Sequence, residues 1–156
     1  MADQHGYVVQ FTDKPEMWDV DGYAVCIDGY GTLQFQINSV ATTGLLAAIN
    51  QAAPSSAIHD ITQSANSSGI YKVHLKQTWN QLTHASFVTV CPSGSSPGVI
   101  ITQVLSDTVA NPSFGPGQSE LQFVQFATVD PETHSASVLS LGQGLMLRLR
   151  LKNSSA

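Results

Sequence analysis

Residues 145–152 constrain the fold most, because the sequence there reads Leu-Met-Leu-Arg-Leu-Arg-Leu-Lys. Leucine occupies every odd position, and the later even positions carry Arg148, Arg150 and Lys152. Side chains of a β-strand alternate between the two faces of a sheet, so the pattern predicts a strand with one core face and one basic face. Two interpretations of the basic face stay open: solvated charges that blunt an exposed or edge strand, or a binding surface.

Similar short segments recur along the chain, rich in β-branched or aromatic residues and separated by Gly, Pro and Ser. They cover residues 7–11, 23–27, 32–37, 70–77, 86–91, 99–105, 120–129 and 137–141. Many short strands with frequent turns predict an all-β fold, a compact antiparallel β-barrel or sandwich. Residues 43–51 have helix formers at helical spacing before Pro54, which predicts one short helix. Residues 50–56, 63–68, 92–98 and 107–118 are predicted to be long exposed surface loops.

Size and charge limit the classes of protein that fit. The 156 residues suit a single domain spanning 1–156. Charged residues make up 11% of the chain, below the roughly 25% of average domains, so hydroxyls and amides must solvate much of the surface. A net charge of -5 with only six Lys and Arg argues against nucleic acid as a partner. No apolar run approaches the ~20 residues of a bilayer-spanning helix, so we expect no membrane insertion.

Cys26 and Cys91 each lie in an apolar strand-like segment without a neighbouring Cys or His at metal-ligand spacing. The sequence therefore predicts two buried thiols, and a disulfide between them stays open as the alternative. An acidic run could suggest calcium, but the twelfth position counted from Asp19 is Tyr30 rather than the Glu of an EF-hand loop. A solvated acidic edge is the simpler interpretation of that run, which comprises Asp13, Glu16, Asp19, Asp21 and Asp28.

Metal-binding and phosphate-binding motifs are missing from the sequence. The five histidines show no H-x-x-x-H spacing, and there is no Gly-rich phosphate loop. We therefore expect no enzymatic activity, no metal site and no cofactor.

The aromatic residues provide the best candidates for binding. Trp18, between acidic residues, could be a platform on which a sugar ring stacks, whereas Trp79 ends a strand-like segment and is expected to fill core. Phe114 lies among turn-forming residues, where it could be an exposed recognition tip or a local packing contact.

Several short motifs, in a fixed order, resemble the outer subdomain of the protruding domain of calicivirus major capsid proteins, and of the vesivirus branch in particular. They are Gly22-Tyr23-Ala24-Val25, Gly29-Tyr30-Gly31, Asp60-Ile61, Gly69-Ile70-Tyr71, the segment from Leu75 to Trp79, Phe87-Val88-Thr89, the stretch from Phe126 to Thr133, and Gly144-Leu145-Met146-Leu147-Arg148. Together they span roughly residues 15–151.

The resemblance implies a function at the virion surface. Such a domain would be made in the host cytoplasm, lie on the outside of a non-enveloped capsid, form a homodimer, carry epitopes for neutralising antibodies and bind a host-cell receptor, either a glycan or a protein. Candidate receptor-binding residues are Trp18, Asp28, Tyr30, Ser95, Asn111, Ser113 and Phe114. The alternative is a carbohydrate-binding module or a phage tail-tip adhesin of β-sandwich type.

Overall fold

The computed structural model describes residues 17–35, 57–90 and 100–153 of the chain, and in these ranges the fold is all-β without a helix. The strands are β1 (Met17–Cys26), β2 (Leu33–Phe35), β3 (Ile58–Gln63), β4 (Ile70–Leu75), β5 (Gln81–Val90), β6 (Ile101–Asp107), β7 (Phe123–Val129) and β8 (Gly144–Lys152). They form two four-stranded antiparallel sheets: sheet A in the order β2-β1-β8-β5 and sheet B in the order β3-β4-β7-β6. The prediction of an all-β sandwich is confirmed.

The alternating strand β8 lies in the middle of sheet A. It pairs with β1 on one side and β5 on the other along its whole length. Leu145, Leu147, Leu149 and Leu151 are buried, so the predicted core face is confirmed. The edge-strand interpretation of β8 is wrong, because the basic side chains stand on the outer face of a central strand.

The core fills the space between the two sheets. Its centre is an aromatic stack in which Phe87 of sheet A lies on Phe126 of sheet B, with ring centroids 4.1 Å apart, and Phe126 lies on Tyr71 at 5.2 Å. Trp79 is 1% exposed and closes the core at one end. The prediction that Trp79 fills core is therefore confirmed.

The two sheets meet along both of their edges. Strands β5 and β6 are joined by side chains: the Thr89 hydroxyl donates to the Ile100 carbonyl at 2.7 Å, and the Thr102 hydroxyl donates to the Phe87 carbonyl. Strands β2 and β3 are in contact at the opposite edge. The sandwich therefore approaches a closed barrel, although among the described residues no backbone ladder joins β5 to β6 or β2 to β3.

Some predicted elements have a different outcome. Residues 137–141 are not a strand, and the isolated bridge between Val129 and Ala136 ends just before them. Strand β3 occupies a segment for which no strand was predicted. The predicted strand at 7–11 and the predicted helix at 43–51 lie outside the described residues.

Candidate functional site

The structure divides the predicted site residues between two opposite ends of the sandwich. Trp18 is the second residue of β1, and its ring meets that of Trp79 edge to face at a centroid distance of 6.0 Å. Asp28 and Tyr30 follow the other end of the same strand. We call these the tryptophan end and the Tyr30 end. Because β1 is ten residues long, the two groups of candidates cannot contact one ligand of ordinary size.

At the Tyr30 end, Asp28 shapes the turn after β1 rather than pointing at a ligand. Its carboxylate accepts hydrogen bonds from the backbone N–H groups of Tyr30 at 2.8 Å and Thr32 at 3.1 Å. A hydrogen bond with the Thr32 side chain is the largest cause that lowers the pKa of Asp28 below its ordinary value. Tyr30 itself is 56% exposed, and its carbonyl accepts a hydrogen bond from the Ser67 N–H at 2.8 Å. Tyr30 is thus an exposed aromatic residue on a well-anchored turn.

At the tryptophan end, Trp18 is only half-buried but packs against the core. Part of its ring is covered by Trp79, so Trp18 offers an incomplete platform rather than a free aromatic face.

The loop between β6 and β7, residues 108–122, adds three more candidates to the tryptophan end. Asn111 and Ser113 are exposed, and the Asn111 side-chain carbonyl accepts a hydrogen bond from the Ser113 N–H at 2.9 Å. Phe114 is half-buried and meets Phe123 perpendicularly, with ring centroids 5.6 Å apart. Of the two interpretations of Phe114, the structure agrees with the local packing contact. Ser95 lies outside the described residues.

Buried contacts anchor this loop to the segment before β5. The Gln122 side chain, 2% exposed, accepts a hydrogen bond from the Trp79 N–H at 2.7 Å and donates one to the Trp79 carbonyl at 3.0 Å. Ala110 donates its N–H to the same carbonyl at 3.1 Å and has a φ of 75°, in the left-handed region that non-glycine residues avoid. Strained backbone of this kind clusters at functional sites, where the surrounding structure holds it in place.

A shallow depression of about 260 Å³ lies between this loop and the segment before β5. Its lining residues are Thr78, Trp79, Asn80, Ala110, Asn111, Pro112, Phe114, Pro116, Gln118 and Gln122. None of these side chains carries a charge, and the amides and the hydroxyl supply both donors and acceptors. Such a lining suits a small, uncharged, hydroxyl-bearing group better than an anion or a cation. Asn111 and Phe114 were predicted from the sequence, whereas Asn80, Gln118 and Gln122 were not, because nothing in the sequence shows which residues meet the loop.

The outer face of sheet A carries a second groove, of about 560 Å³, which Asp19 and Arg150 help to line. The Arg150 guanidinium bonds the Asp19 carboxylate at 2.7 and 3.0 Å, and Arg148 bonds Asp21 at 2.7 and 3.4 Å. The hydrogen bond from Arg150 is the largest cause that lowers the pKa of Asp19. The basic face of β8 and part of the acidic run were considered separately in the sequence. In the structure they neutralise each other across two neighbouring strands.

On the outer face of sheet B, His74 lies between two carboxylates. Its Nδ1 is 2.8 Å from an Asp60 oxygen, and its Nε2 is 3.0 Å from a Glu120 oxygen that Lys72 also contacts at 3.0 Å. Hydrogen bonds from His74, and then from Lys72, lower the pKa of Glu120 below its ordinary value. Sequence reasoning missed this cluster because Glu120 comes from a loop whose position the sequence does not reveal.

In the parts of the chain that the structure describes, no three His, Cys, Asp or Glu side chains are grouped so as to hold a metal ion. Those parts also contain no helix that is long and apolar enough to cross a membrane. Cys26 is a free, buried thiol, so the prediction of a buried thiol is confirmed for Cys26, while Cys91 lies outside the described residues.

Comparison of the chain with protein-family models, curated proteins and solved structures gives no significant match.

Proposed function

We propose that this chain is an exposed attachment domain of a non-enveloped virus capsid, and that the depression at the tryptophan end binds a group on the host-cell receptor. The observation that carries the proposal is the construction of this depression from a stiff loop over a buried tryptophan. Loops positioned by a rigid scaffold commonly carry binding residues. The calicivirus resemblance supplies the viral context, and the low charge of the chain suits a surface solvated by hydroxyls and amides.

The size of the depression limits what it could hold. At about 260 Å³ it lies below the roughly 300–1,000 Å³ of typical small-molecule sites. It would therefore engage one small part of a receptor, such as a single uncharged sugar ring or one polar side chain. Weak single contacts of this kind gain strength when many copies are presented together, as on a capsid.

A second copy of the chain would pair through the outer face of sheet A. On this face an acidic column from β1 stands beside a basic column from β8, joined by the pairs Asp19–Arg150 and Asp21–Arg148. A two-fold axis placed between the two strands would bring the acidic column of one copy over the basic column of the other. Met146 and Val88, 42% and 58% exposed, would add apolar area to the contact. Antibodies would then reach the end loops rather than this face.

The alternative is a carbohydrate-binding module or a phage tail-tip adhesin, which would use the same depression. The uncharged amide lining favours it as much as it favours a glycan receptor. Behaviour as a monomer, with saturable binding of a free sugar and no binding to cells, would distinguish this alternative from the attachment domain.

The test is binding of the labelled, multivalently presented domain to a panel of vertebrate cells, before and after periodate and glycosidase treatment. Asn111→Asp is the informative variant, because aspartate keeps the oxygen that caps the Ser113 N–H but loses the amide donors and adds charge. Tyr30→Ser at the opposite end is the matched control. Saturable binding that falls at least about tenfold in the first variant and persists in the second supports the proposal.

Two results would contradict it. Loss of binding only in Tyr30→Ser would move the site to the Tyr30 end of the sandwich. Absence of saturable binding to every cell type would remove the attachment function itself. Binding that survives periodate and glycosidase would identify a protein receptor and leave the attachment function in place.

A further inference from the structure

The charge cluster on the outer face of sheet B joins three separate segments through one imidazole. His74 stands on β4, Asp60 on β3, and Glu120 in the β6–β7 loop that lines the proposed attachment site. The His74 side chain is only 13% exposed, and both ring nitrogens lie within 3.0 Å of carboxylate oxygens. The other titratable groups that face the cluster are Lys72, on the Glu120 carboxylate, and His59, at 3.1 Å from Asp60.

The two contacts can both be hydrogen bonds only when each ring nitrogen carries a proton. An ionised carboxylate can only accept hydrogen bonds, so His74 makes both bonds only by donating from both Nδ1 and Nε2. Only the imidazolium form can do so, because a neutral imidazole has one N–H and one acceptor nitrogen. Loss of the proton would turn the lone pair of one ring nitrogen toward a carboxylate oxygen and break that bond.

The Glu120 side of this cluster leads directly into the loop. The Glu120 backbone carbonyl accepts a hydrogen bond from the Gly115 N–H at 3.0 Å. The His74 ring also lies edge to face with Phe123 at 5.9 Å, and Phe123 contacts Phe114 of the loop. A change at His74 therefore reaches the lining of the depression through two short routes, one polar and one aromatic.

We propose that protonated His74 is a pH-sensitive tie that holds the β6–β7 loop in its binding conformation, and that the loop loosens when the imidazole loses its proton. The regulatory meaning rests on the proposed function, since the loop lines the proposed site. The tie is complete at lower pH and weakens as the pH rises, while Lys72 keeps one contact to Glu120 throughout.

The pH range in which the tie is complete also has a lower limit. The pKa of Glu120 is lowered in the fold, so the contribution of its bonds is present above the ordinary carboxyl pKa and is lost as the pH falls through the lowered value. The tie therefore works in a window between protonation of Glu120 and deprotonation of the imidazole.

The experiment is NMR on the whole chain at about pH 5.5 and at a higher pH at which the ring nitrogen shifts themselves show that His74 has become neutral. Ring nitrogen shifts report the protonation of His74, and amide exchange, corrected for its intrinsic pH dependence, reports the Gly115 N–H. We expect a doubly protonated ring at the lower pH and about tenfold weaker protection of Gly115 at the higher pH, as for loss of a hydrogen bond to a charged group.

Two variants separate the tie from general effects of pH. His74→Gln can donate one bond and accept another, like the neutral imidazole, so Gly115 should be weakly protected at both pH values. His59→Gln is the matched control, because His59 contacts Asp60 but not the loop, and it should keep the pH dependence. A neutral His74 ring at about pH 5.5, or equal protection at both pH values in the unmodified chain, would overturn the proposal. Neither readout involves a receptor, so this failure is distinguishable from failure of the attachment function.

Discussion

Gly115 is the position where a single added methyl group should disturb the proposed site most. The residue is buried within the β6–β7 loop and has a φ of 132°, which L side chains rarely adopt. A Cβ atom built there would lie 2.2 Å from Cγ2 of Thr78, far inside van der Waals contact. Gly115→Ala therefore combines backbone strain with a collision, and the two contributions can be measured separately.

The magnitude follows from adding these contributions. A non-glycine residue held in a sparsely populated backbone region costs about 1–3 kcal/mol. Overpacking by a methyl group adds roughly 1–3 kcal/mol, since Thr78 is β-branched and cannot turn away freely. Gly115→Ala should therefore lower the free energy of unfolding by about 2–6 kcal/mol. In a domain of this size, that corresponds to a fall in Tm of at least about 4 °C.

The assay is urea unfolding followed by tryptophan fluorescence, since the buried Trp79 adjoins Thr78. Gly117→Ala is the control for strain alone, because Gly117 has a φ of 86° but open space around it. Thr78→Ser removes the colliding atom, so the double variant with Gly115→Ala should regain about 1–3 kcal/mol over Gly115→Ala. If Gly115→Ala costs no more than Gly117→Ala, or if Thr78→Ser restores nothing, the collision is not the cause.

The remaining predictions concern buried polar groups. Gln122→Leu removes both side-chain bonds to the Trp79 backbone and should cost about 2–4 kcal/mol in urea unfolding, and a cost below about 1 kcal/mol would contradict the anchoring role. Tyr71→Phe loses a bond to a carbonyl oxygen at 2.5 Å and should cost about 1–2 kcal/mol, whereas Tyr23→Phe should be neutral or stabilising because its buried hydroxyl has no partner among the described residues. Burial raises the pKa of Tyr71 to about 12. The part of the unfolding free energy that depends on the protonated Tyr71 hydroxyl is therefore complete below pH ~10 and is lost as the pH rises through about 12. Unfolding measured at a series of pH values, with ultraviolet absorbance reporting ionisation of the tyrosine, would follow this loss. Burial also raises the pKa of the Cys26 thiol, which in a Cys91→Ser background should react with a thiol reagent only at the rate of unfolding; fast reaction in the native state would contradict its burial.

Most of the fold could be predicted from the alternation of apolar and polar residues and from the turn-forming residues between the segments. The leucines at 145–151 predicted a half-buried strand because their period of two matches the sheet, and that strand is β8. Strand β4 was equally clear, with Tyr71, Val73 and Leu75 alternating with polar residues. The position of a strand within its sheet could not be predicted from alternation, because a solvated face has the same sequence pattern on a central strand as on an edge strand.

The missed strands have weaker patterns for physical reasons. Strand β3 is short, and its sequence Ile-His-Asp-Ile-Thr-Gln is mostly polar because much of it faces solvent. The first half of β5 contains a register shift between Leu82 and His84, which breaks the alternation. Conversely, residues 137–141 contain Val138 and Leu139 but run as a loop, with Leu139 buried in the core.

The candidate site was only partly predictable. Turn-forming composition pointed to Asn111, Ser113 and Phe114, and these residues do share one loop at the tryptophan end. What the sequence did not reveal was the long-range contacts: Gln122 reaching Trp79, or Glu120 reaching His74 across 46 positions. Such contacts depend on how the strands are arranged, and no local pattern encodes them.

The central place of β8 also fixes an order of events during synthesis. Strand β1 finds its long partner only when β8 has been made, for Asp21 and Arg148 are 127 positions apart. Until then one edge of β1 and one edge of β5 lack the strand that lies between them. Long-range pairing of this kind slows folding and leaves unpaired strand edges exposed in the meantime. Sheet B has its four strands by residue 129, so it can form first and offer the surface on which sheet A assembles.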